Sequence, residues 1–433
     1  MLLRDVIAQV PEARFAVSPT RDVRDAVVNG LSYDPMRVGH GDLFVCLNER
    51  ARDNPFASFA AVARGASAVL CEPGTIVPPH VPRIEVRDSG AAFTHAAAAY
   101  FGHPARSLSL VAVECATAGP GETRCAATNV AWLLTRLMRL AGANTALVGE
   151  LACEAGGREL PLAASRLDAF ELQRLLDAHR HAGGSAGVLQ QPRAHASRWG
   201  DLHCVDTVRE LPRPEAQDSF SWRGSRLLLN GLRISTPIIG PGNAAALRAA
   251  LAVLLRLGIR HDRVIGALPG LASTPGFLQP VNAGQPFGVF VDAARTAREL
   301  AEAIGELRAT TPGRILLVSG PPAEFSGEER SAQGLAAATA DVVFATTDDP
   351  GEFAPETLWR DFVPAAVRTR FIPESDRARA IDRALRAARA NDVVLLAGKG
   401  HRRTQEMDGT VEPFDDAAHA VEALALRGFG GDL

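Results

Sequence analysis

Lysine is nearly absent from this chain. It occurs once in 433 residues, at Lys399, so the 46 basic residues are otherwise arginine. On a solvated surface one cation replaces the other at little cost, but a site built on an ammonium group does not accept a guanidinium. Any mechanism that needs two lysines is therefore excluded. Apolar runs of 18 or more residues are also missing, which excludes a membrane-spanning helix. The first residues carry Asp5 and Glu12 and lack the apolar core of a signal peptide. Close C-x-x-C spacing is absent too. The six cysteines, at 46, 71, 115, 125, 153 and 204, are scattered and mostly read as small apolar residues, as suits a reducing cytoplasm. With a net charge of −3, the sequence gives no reason to expect a nucleic-acid or membrane partner.

What is present is the composition of a water-soluble globular protein, 47% hydrophobic and 22% charged, in a chain too long for one ordinary core. Three α/β blocks are expected: 1–106, 107–283 and 284–433. In the first, GDLFVCL (41–47), FASFAAVARGA (56–66) and SAVLCEP (67–73) read as strand, helix and strand. The second opens with the buried-strand pattern LSLVAVECA (108–116). A Gly-Pro-Gly loop follows, then a helix from about Thr123 to Ala141 with Val130, Leu133, Leu134, Leu137, Met138 and Leu140 clustered on one face. Strand, glycine loop and helix form the layout that holds phosphate at a helix N-terminus. In the third block, strands at 287–293, 314–320, 341–347 and 392–398 alternate with Ala- and Arg-rich helices. That alternation predicts a doubly wound, mostly parallel, Rossmann-like sheet. The helices at 298–309 and 376–390 read as core-covering amphipathic helices, and 207–219 as a loop.

Four segments in a fixed order resemble the Mur ligase superfamily, and within it the MurE type, which adds the third amino acid to UDP-MurNAc-dipeptide. Ala397-Gly398-Lys399-Gly400-His401, then Gln405 and Phe414-Asp415-Asp416, resemble AGKGHE-x-x-Q…FDD. Thr346-Thr347-Asp348-Asp349-Pro350 resembles T-x-DNPR. Asp34, Val38 and Gly41-Asp42-Leu43-Phe44-Val45 resemble DSR-x-V-x-PGDLFVAL. Gly240 and Asn243 resemble G-x-FN-x-x-N-A. The resemblance implies three α/β domains: an N-terminal UDP-binding-like domain, a P-loop-like central domain and a Rossmann-like C-terminal domain.

It also implies a chemistry. Such ligases phosphorylate a carboxylate with ATP and let an amine displace phosphate from the acyl phosphate. Gathering that charge takes a phosphate cradle, a cationic side chain and Mg²⁺. The family loop TGTNGKT corresponds to Thr117-Ala118-Gly119-Pro120-Gly121-Glu122-Thr123-Arg124, a vestigial nucleotide loop with Glu122 in the place of the lysine. At ~4 Å and an effective dielectric of about 20, reversing that charge costs several kcal/mol. Pro120 removes a backbone N–H, and Arg124 is cationic but displaced from the lysine's place. Gln190 falls where the family has its metal-binding glutamate, and a neutral amide is a poor Mg²⁺ ligand. His195 nearby reads as surface. The segment bearing a carbamylated lysine is missing, and Lys399 already fills the C-terminal motif. Ala293 and Arg295 replace a tyrosine and a histidine, Gly351 replaces the arginine of DNPR, Pro35 and Met36 replace a serine and an arginine, and Ala246 replaces the second asparagine.

Apolar strands and turn glycines persist while groups with chemical duties have changed, the pattern of a chain kept for its shape. No residue is assigned as catalytic or metal-binding, and ATP and Mg²⁺, though implied by the resemblance, are not expected as cofactors. Asp292, Arg295, Asp348, Asp349, Lys399 and His401 mark a possible retained pocket at C-terminal strand ends, suited to a small carboxylate or phosphate. The plainer reading is that the glycines make a turn and the charges are solvated. Three functions stay open: a cytoplasmic MurE-like pseudoenzyme in peptidoglycan-precursor or related amino-acid-polymer metabolism, pairing with an active ligase or with itself; a binding module; or an active ligase rebuilt around Arg124, Arg295 and Lys399.

Overall fold

The computed structural model describes residues 1–16, 24–48, 54–115, 125–160, 167–192, 199, 202, 204–212, 215–229, 231–260, 262–266, 268–363 and 369–430. The fold is mixed α/β. Two compact units form, residues 1–114 with 143–207 and residues 115–142 with 208–433.

The first unit holds two sheets. One is built from β1 (Arg14–Phe15), β2 (Leu31–Ser32), β3 (Leu43–Val45), β4 (Ala68–Cys71) and β5 (Arg83–Glu85), in the order β1-β5-β4-β3-β2. Its helices are α1 (Leu3–Ile7), α2 (Ala57–Ala63) and α3 (Ser89–Tyr100). Strands β3 and β4 alternate between two cores, with Leu43, Val45, Ala68 and Leu70 on one face and Phe44, Val69 and Cys71 on the other. The second sheet contains β6 (Ser109–Cys115), β7 (Thr145–Val148), β8 (Cys153–Ala155), β9 (Arg158–Leu160), β10 (Ala186–Pro192) and β11 (Asp206–Val208), ordered β11-β6-β10-β7-β8-β9. Helix α5 (Ala169–His181) begins at Asp168, whose carboxylate accepts the Glu171 N–H, and it packs Leu172, Leu175 and Leu176 against Leu110, Val148 and Leu189.

In the second unit, α4 (Ala126–Leu140) packs on α6 (Pro241–Arg256). A three-stranded antiparallel meander comes from β12 (Ser219–Ser221), β13 (Gly224–Leu229) and β14 (Leu232–Thr236). The C-terminal sheet takes β15 (Gln279–Pro280), β16 (Gly288–Asp292), β17 (Ile315–Ser319), β18 (Val342–Ala345), β19 (Arg370–Pro373) and β20 (Val393–Ala397), in the order β15-β16-β20-β17-β18-β19. Strand β15 pairs antiparallel with β16 and so belongs to this sheet, on the near side of the expected boundary at 283/284.

Both faces of the C-terminal sheet are buried, which is why its strands are continuous apolar runs. Phe290, Leu317, Val343 and Leu395 face Leu300, Ala303, Ile304 and Leu307 of α7 (Ala297–Arg308), with Ala337 of α8 (Gly327–Ala337) and Phe362 of α9 (Pro355–Phe362). Val291, Leu316, Phe344 and Leu396 face α10 (Arg377–Ala387) and α11 (Asp416–Ala425). Each buried Leu, Ile or Val contributes about 1.5–3 kcal/mol. Helix starts are marked chemically: Thr296 with Glu299 and Ser326 with Glu329 form capping boxes, while Asp376 and Asp415 cap α10 and α11.

At one described cysteine the structure departs from the reading of the six as mostly small apolar residues. Cys46, Cys71 and Cys153 are buried thiols, but Cys125, at the start of α4, is disulfide-bonded.

Candidate functional site

Strands β16, β20, β17 and β18 are parallel, and their register puts Asp292 beside Ala397 and Ser319 beside Ala345. Four C-terminal ends therefore lie together, with β20 inserted between β16 and β17. Ligands of open α/β sheets bind outside such ends.

Backbone geometry delivers the lysine. Gly398 has φ +114, and a Cβ there would lie 2.7 Å from Asp348 Oδ2. Gly400 has φ +57, and its Cβ would meet Ala293 atoms at 2.5 Å. Only glycine fits at either place, and the turn between them aims Lys399 inward. The Lys399 side chain is fully buried. Its Nζ donates to Asp349 Oδ1 at 2.8 Å and to the Thr404 carbonyl at 3.0 Å, lies 3.7 Å from Asp348 Oδ1, and sits 5.8 Å from the Phe414 ring. Burial pushes its pKa down, with the Arg377 charge adding to that, against the pull of Asp348 and Asp349.

Asp348 is the hub. Arg295 Nε donates to its Oδ2 at 3.1 Å and Arg402 Nη2 to its Oδ1 at 2.8 Å. Burial alone would raise its pKa, but Arg402, Arg295, Arg377 and Lys399 outweigh that and hold it down at about 2. Asp349, at φ +52, accepts from Lys399, from Arg402 and from the Glu406 N–H at 3.0 Å. Arg295 also reaches Glu324 Oε1 at 2.8 Å. Behind these, Arg377 makes a two-pronged bond to Asp416 at 2.8 and 2.6 Å and donates to the Thr347 and Ala397 carbonyls. Both partners of that pair are wholly buried.

Four cations (Arg295, Arg377, Lys399, Arg402) thus face four carboxylates (Glu324, Asp348, Asp349, Asp416). Of the residues expected at a pocket here, Arg295, Asp348, Asp349 and Lys399 come together, joined by Arg402, which sequence reasoning missed. Asp292 lies at the same edge, but its carboxylate accepts the Leu278 N–H at 2.8 Å and the Ala294 N–H at 2.9 Å. His401 is half-buried, its Nδ1 has no hydrogen-bond partner, and burial lowers its pKa.

The remaining expected sites divide in two. Gly119, Gly121, Glu122, Thr123, Arg124 and His195 lie outside the described residues. Gln190, in the first unit, is buried, and its Oε1 accepts the Glu150 N–H at 3.1 Å in the turn after β7. Asn243, in the first turn of α6, donates to the Ile239 and Phe277 carbonyls, both at 2.9 Å, and accepts from Asn129 at 2.7 Å. Thr274 closes that chain on Asn129 at 2.6 Å. Among the described residues, no group of three or more His, Cys, Asp or Glu side chains is placed to hold a metal ion.

Residues 278–400 match the family model described as Mur ligase, glutamate ligase domain. A UDP-N-acetylmuramoyl-L-alanyl-D-glutamate--2,6-diaminopimelate ligase of Solibacter usitatus is 28% identical, covering 93% of this chain and 94% of the relative. One from Streptomyces coelicolor is 26% identical over 92% of this chain and 93% of the relative. A solved ligase of that same name shares the fold across 99% of both chains, with TM-score 0.66 and 19% identity. The D-alanyl-D-alanyl-adding ligase of Acinetobacter baumannii follows at TM-score 0.54 and 14% identity, over 92% of this chain and 95% of the other. Residues 278–400 are a Mur ligase glutamate ligase domain, and over most of its length the chain is homologous to the UDP-N-acetylmuramoyl-L-alanyl-D-glutamate--2,6-diaminopimelate ligases.

Proposed function

We propose that this MurE-type chain acts by binding and not by ATP-dependent ligation, as a pseudoenzyme that scaffolds or regulates peptidoglycan-precursor or related amino-acid-polymer metabolism. The observation that carries the reading is the fate of the single lysine. Lys399 is fully buried and committed to Asp349 and the Thr404 carbonyl, and the chain has no second lysine for a phosphate loop or for carbamylation.

The residues present do not fit Mg-ATP. At the position corresponding to the family's metal-binding glutamate, Gln190 offers a neutral carbonyl already engaged by a backbone amide. Asn243, the surviving member of the G-x-FN-x-x-N segment, has both amide donor hydrogens and its oxygen occupied inside the protein. Arg295, one of the cations around which a working site would have to be rebuilt, is held between Asp348 and Glu324. A cation that neutralises an internal carboxylate is not available to a phosphate unless that carboxylate is left bare, at a cost of several kcal/mol.

The test is a thermal-shift titration with Mg-ATP, ADP, UDP and UDP-MurNAc-peptides, alongside phosphate release with each peptide and 2,6-diaminopimelate. A ligand that binds the native state raises the melting temperature, by a stabilisation that grows as RT ln(1 + [L]/Kd). The expected result is no Mg²⁺-dependent shift with ATP and no phosphate release. Turnover above the no-enzyme rate would overturn the proposal in favour of an active acid–amino-acid ligase, the activity named in the relatives.

A further inference from the structure

The meander carries an open groove of about 630 Å³ whose lining, among the described residues, includes Arg223 and Arg226 and no carboxylate. The register sets Ser219, Arg226 and Ser235 in one row across β12, β13 and β14. Directly opposed residues share a face of a sheet, so one exposed arginine stands between two exposed serines. Arg223 occupies the turn from β12 to β13, with its guanidinium 4.6 Å from the centre of the Trp222 ring. That turn is fixed: Ser221 Oγ accepts the Arg223 N–H at 3.3 Å and donates to the Gly224 carbonyl at 3.0 Å. The strand between the two arginines is anchored from its buried face, where Ser225 Oγ donates to the Ile238 carbonyl at 2.6 Å. Pro237 and Pro269 supply an apolar wall. Among the described residues, neither arginine has an acidic partner within ion-pair distance.

Two un-neutralised guanidinium groups beside two hydroxyls form a donor set without an acceptor charge. Planar, multi-donor arginine suits oxyanions, and it binds a phosphate more strongly than a single carboxylate because more oxygens and more charge are available. The cavity is far larger than a bare phosphate, and its wall is apolar. We propose that this groove binds a small organic phosphate, with Arg223 and Arg226 gripping the phosphoryl oxygens, Ser219 and Ser235 donating to them, and the organic part lying on Pro237 and Pro269.

Trp222 is a built-in reporter. Wild-type protein is titrated with phenyl phosphate, inorganic phosphate and benzoate at constant ionic strength, by tryptophan fluorescence and by calorimetry. Saturable binding is expected in the order phenyl phosphate, inorganic phosphate, benzoate, with at least tenfold between the first and the last. Arg223→Ala and Arg226→Ala each weaken phenyl phosphate at least fivefold, and the double variant at least thirtyfold. Arg233→Ala, on the same meander but outside the lining, leaves the affinity within twofold. Trp222→Phe removes the ligand-dependent change in fluorescence, leaving the constant emission of Trp132, Trp199 and Trp359, while the calorimetric signal persists. No saturable binding of phenyl phosphate, equal affinity for benzoate, or unchanged affinity in the double variant would each overturn the proposal. None of these outcomes depends on whether the chain turns over ATP.

Discussion

Two regions of the second unit use arginine in opposite ways. At the strand ends of the C-terminal sheet, Arg295, Arg377 and Arg402 are matched by carboxylates and largely withdrawn from water. On the meander, Arg223 and Arg226 stand in solvent beside hydroxyls and, among the described residues, no acid. The side chain is the same, and the difference lies in where its counter-charge comes from. A buried guanidinium must bring its own, because an unpaired charge in a low-dielectric interior costs several kcal/mol. An exposed one is already solvated by water and keeps its donors available to whatever arrives. The family position and the ligand-ready position are therefore different places in this chain. The strand ends hold the residues that resemble a ligase site, yet their charges are spent on each other.

The comparison is tested most sharply by removing one half of a closed pair. Asp416→Ala leaves Arg377 buried without its carboxylate and is expected to lower unfolding free energy by about 3–5 kcal/mol, read as a fall in urea midpoint at constant slope. The double replacement Arg377→Met with Asp416→Leu is expected to recover most of that loss, since two apolar groups fill the space with no charge to compensate. A double variant as unstable as the single one would mean that the pair also holds the Thr347 and Ala397 carbonyls in place. Lys399→Met is the next largest effect, about 2–3 kcal/mol. Its cost is smaller because Arg402 and the Glu406 N–H still hold Asp349. If the lysine instead served a ligand, its removal would leave stability unchanged and abolish binding.

How much of this was legible in the sequence follows from how local each signal is. The strands expected at 287–293, 314–320, 341–347 and 392–398 are found at Gly288–Asp292, Ile315–Ser319, Val342–Ala345 and Val393–Ala397, because an unbroken run of β-branched and leucine residues is stable only when buried on both faces. The meander was not foreseen. Its outward residues (Ser219, Arg226, Arg233, Ser235) alternate with inward ones, but the run Leu227-Leu228-Leu229 hides the period, and Gly224 and Gly231 break it into short strands. The Lys399 turn was legible as a turn, since glycine on both sides of one residue demands unusual backbone angles. Its ion network was not, because Arg377 and Asp416 are 39 residues apart and only the fold pairs them. Arg402 did leave a signal. It stands where the resembling pattern has a glutamate, while Asp349 stands where that pattern has an asparagine, and the two exchanged charges meet in the structure.

Acid provides a milder way to open the closed network. Asp348 sits at about 2 when folded, against 3.8 as the ordinary value, so the folded protein binds fewer protons than the unfolded chain between those pH values. The stability this carboxylate adds is fully present above about pH 4 and is lost as pH falls through 2. Its size is about 2 kcal/mol, and the group is wholly buried, so solvent does not discount it. Unfolding followed by circular dichroism should show that loss in the wild type. Asp348→Asn, already deprived of the charge, should show a flatter profile from a lower starting stability. Equal acid slopes in the two proteins would place the charge balance of this region elsewhere.

The smallest expected effect is the one that defines the other region. Arg226→Ala removes a cation that no carboxylate among the described residues faces, from the exposed side of a three-stranded sheet. Surface substitutions of this kind change unfolding free energy by no more than about 0.5 kcal/mol, and sodium chloride should shift the variant's melting temperature as it shifts the wild type's. Arg402→Ala uses the same substitution but strips both Asp348 and Asp349 of a partner, so its destabilisation must be severalfold larger and must grow as pH rises from 2 to 5 and the carboxylates ionise. Measured side by side, the two variants separate arginine that holds the fold from arginine that the fold merely displays. A destabilisation of Arg226→Ala comparable to that of Arg402→Ala would mean that the meander's cations are structural as well, and that a ligand could reach them only by competing with the protein itself.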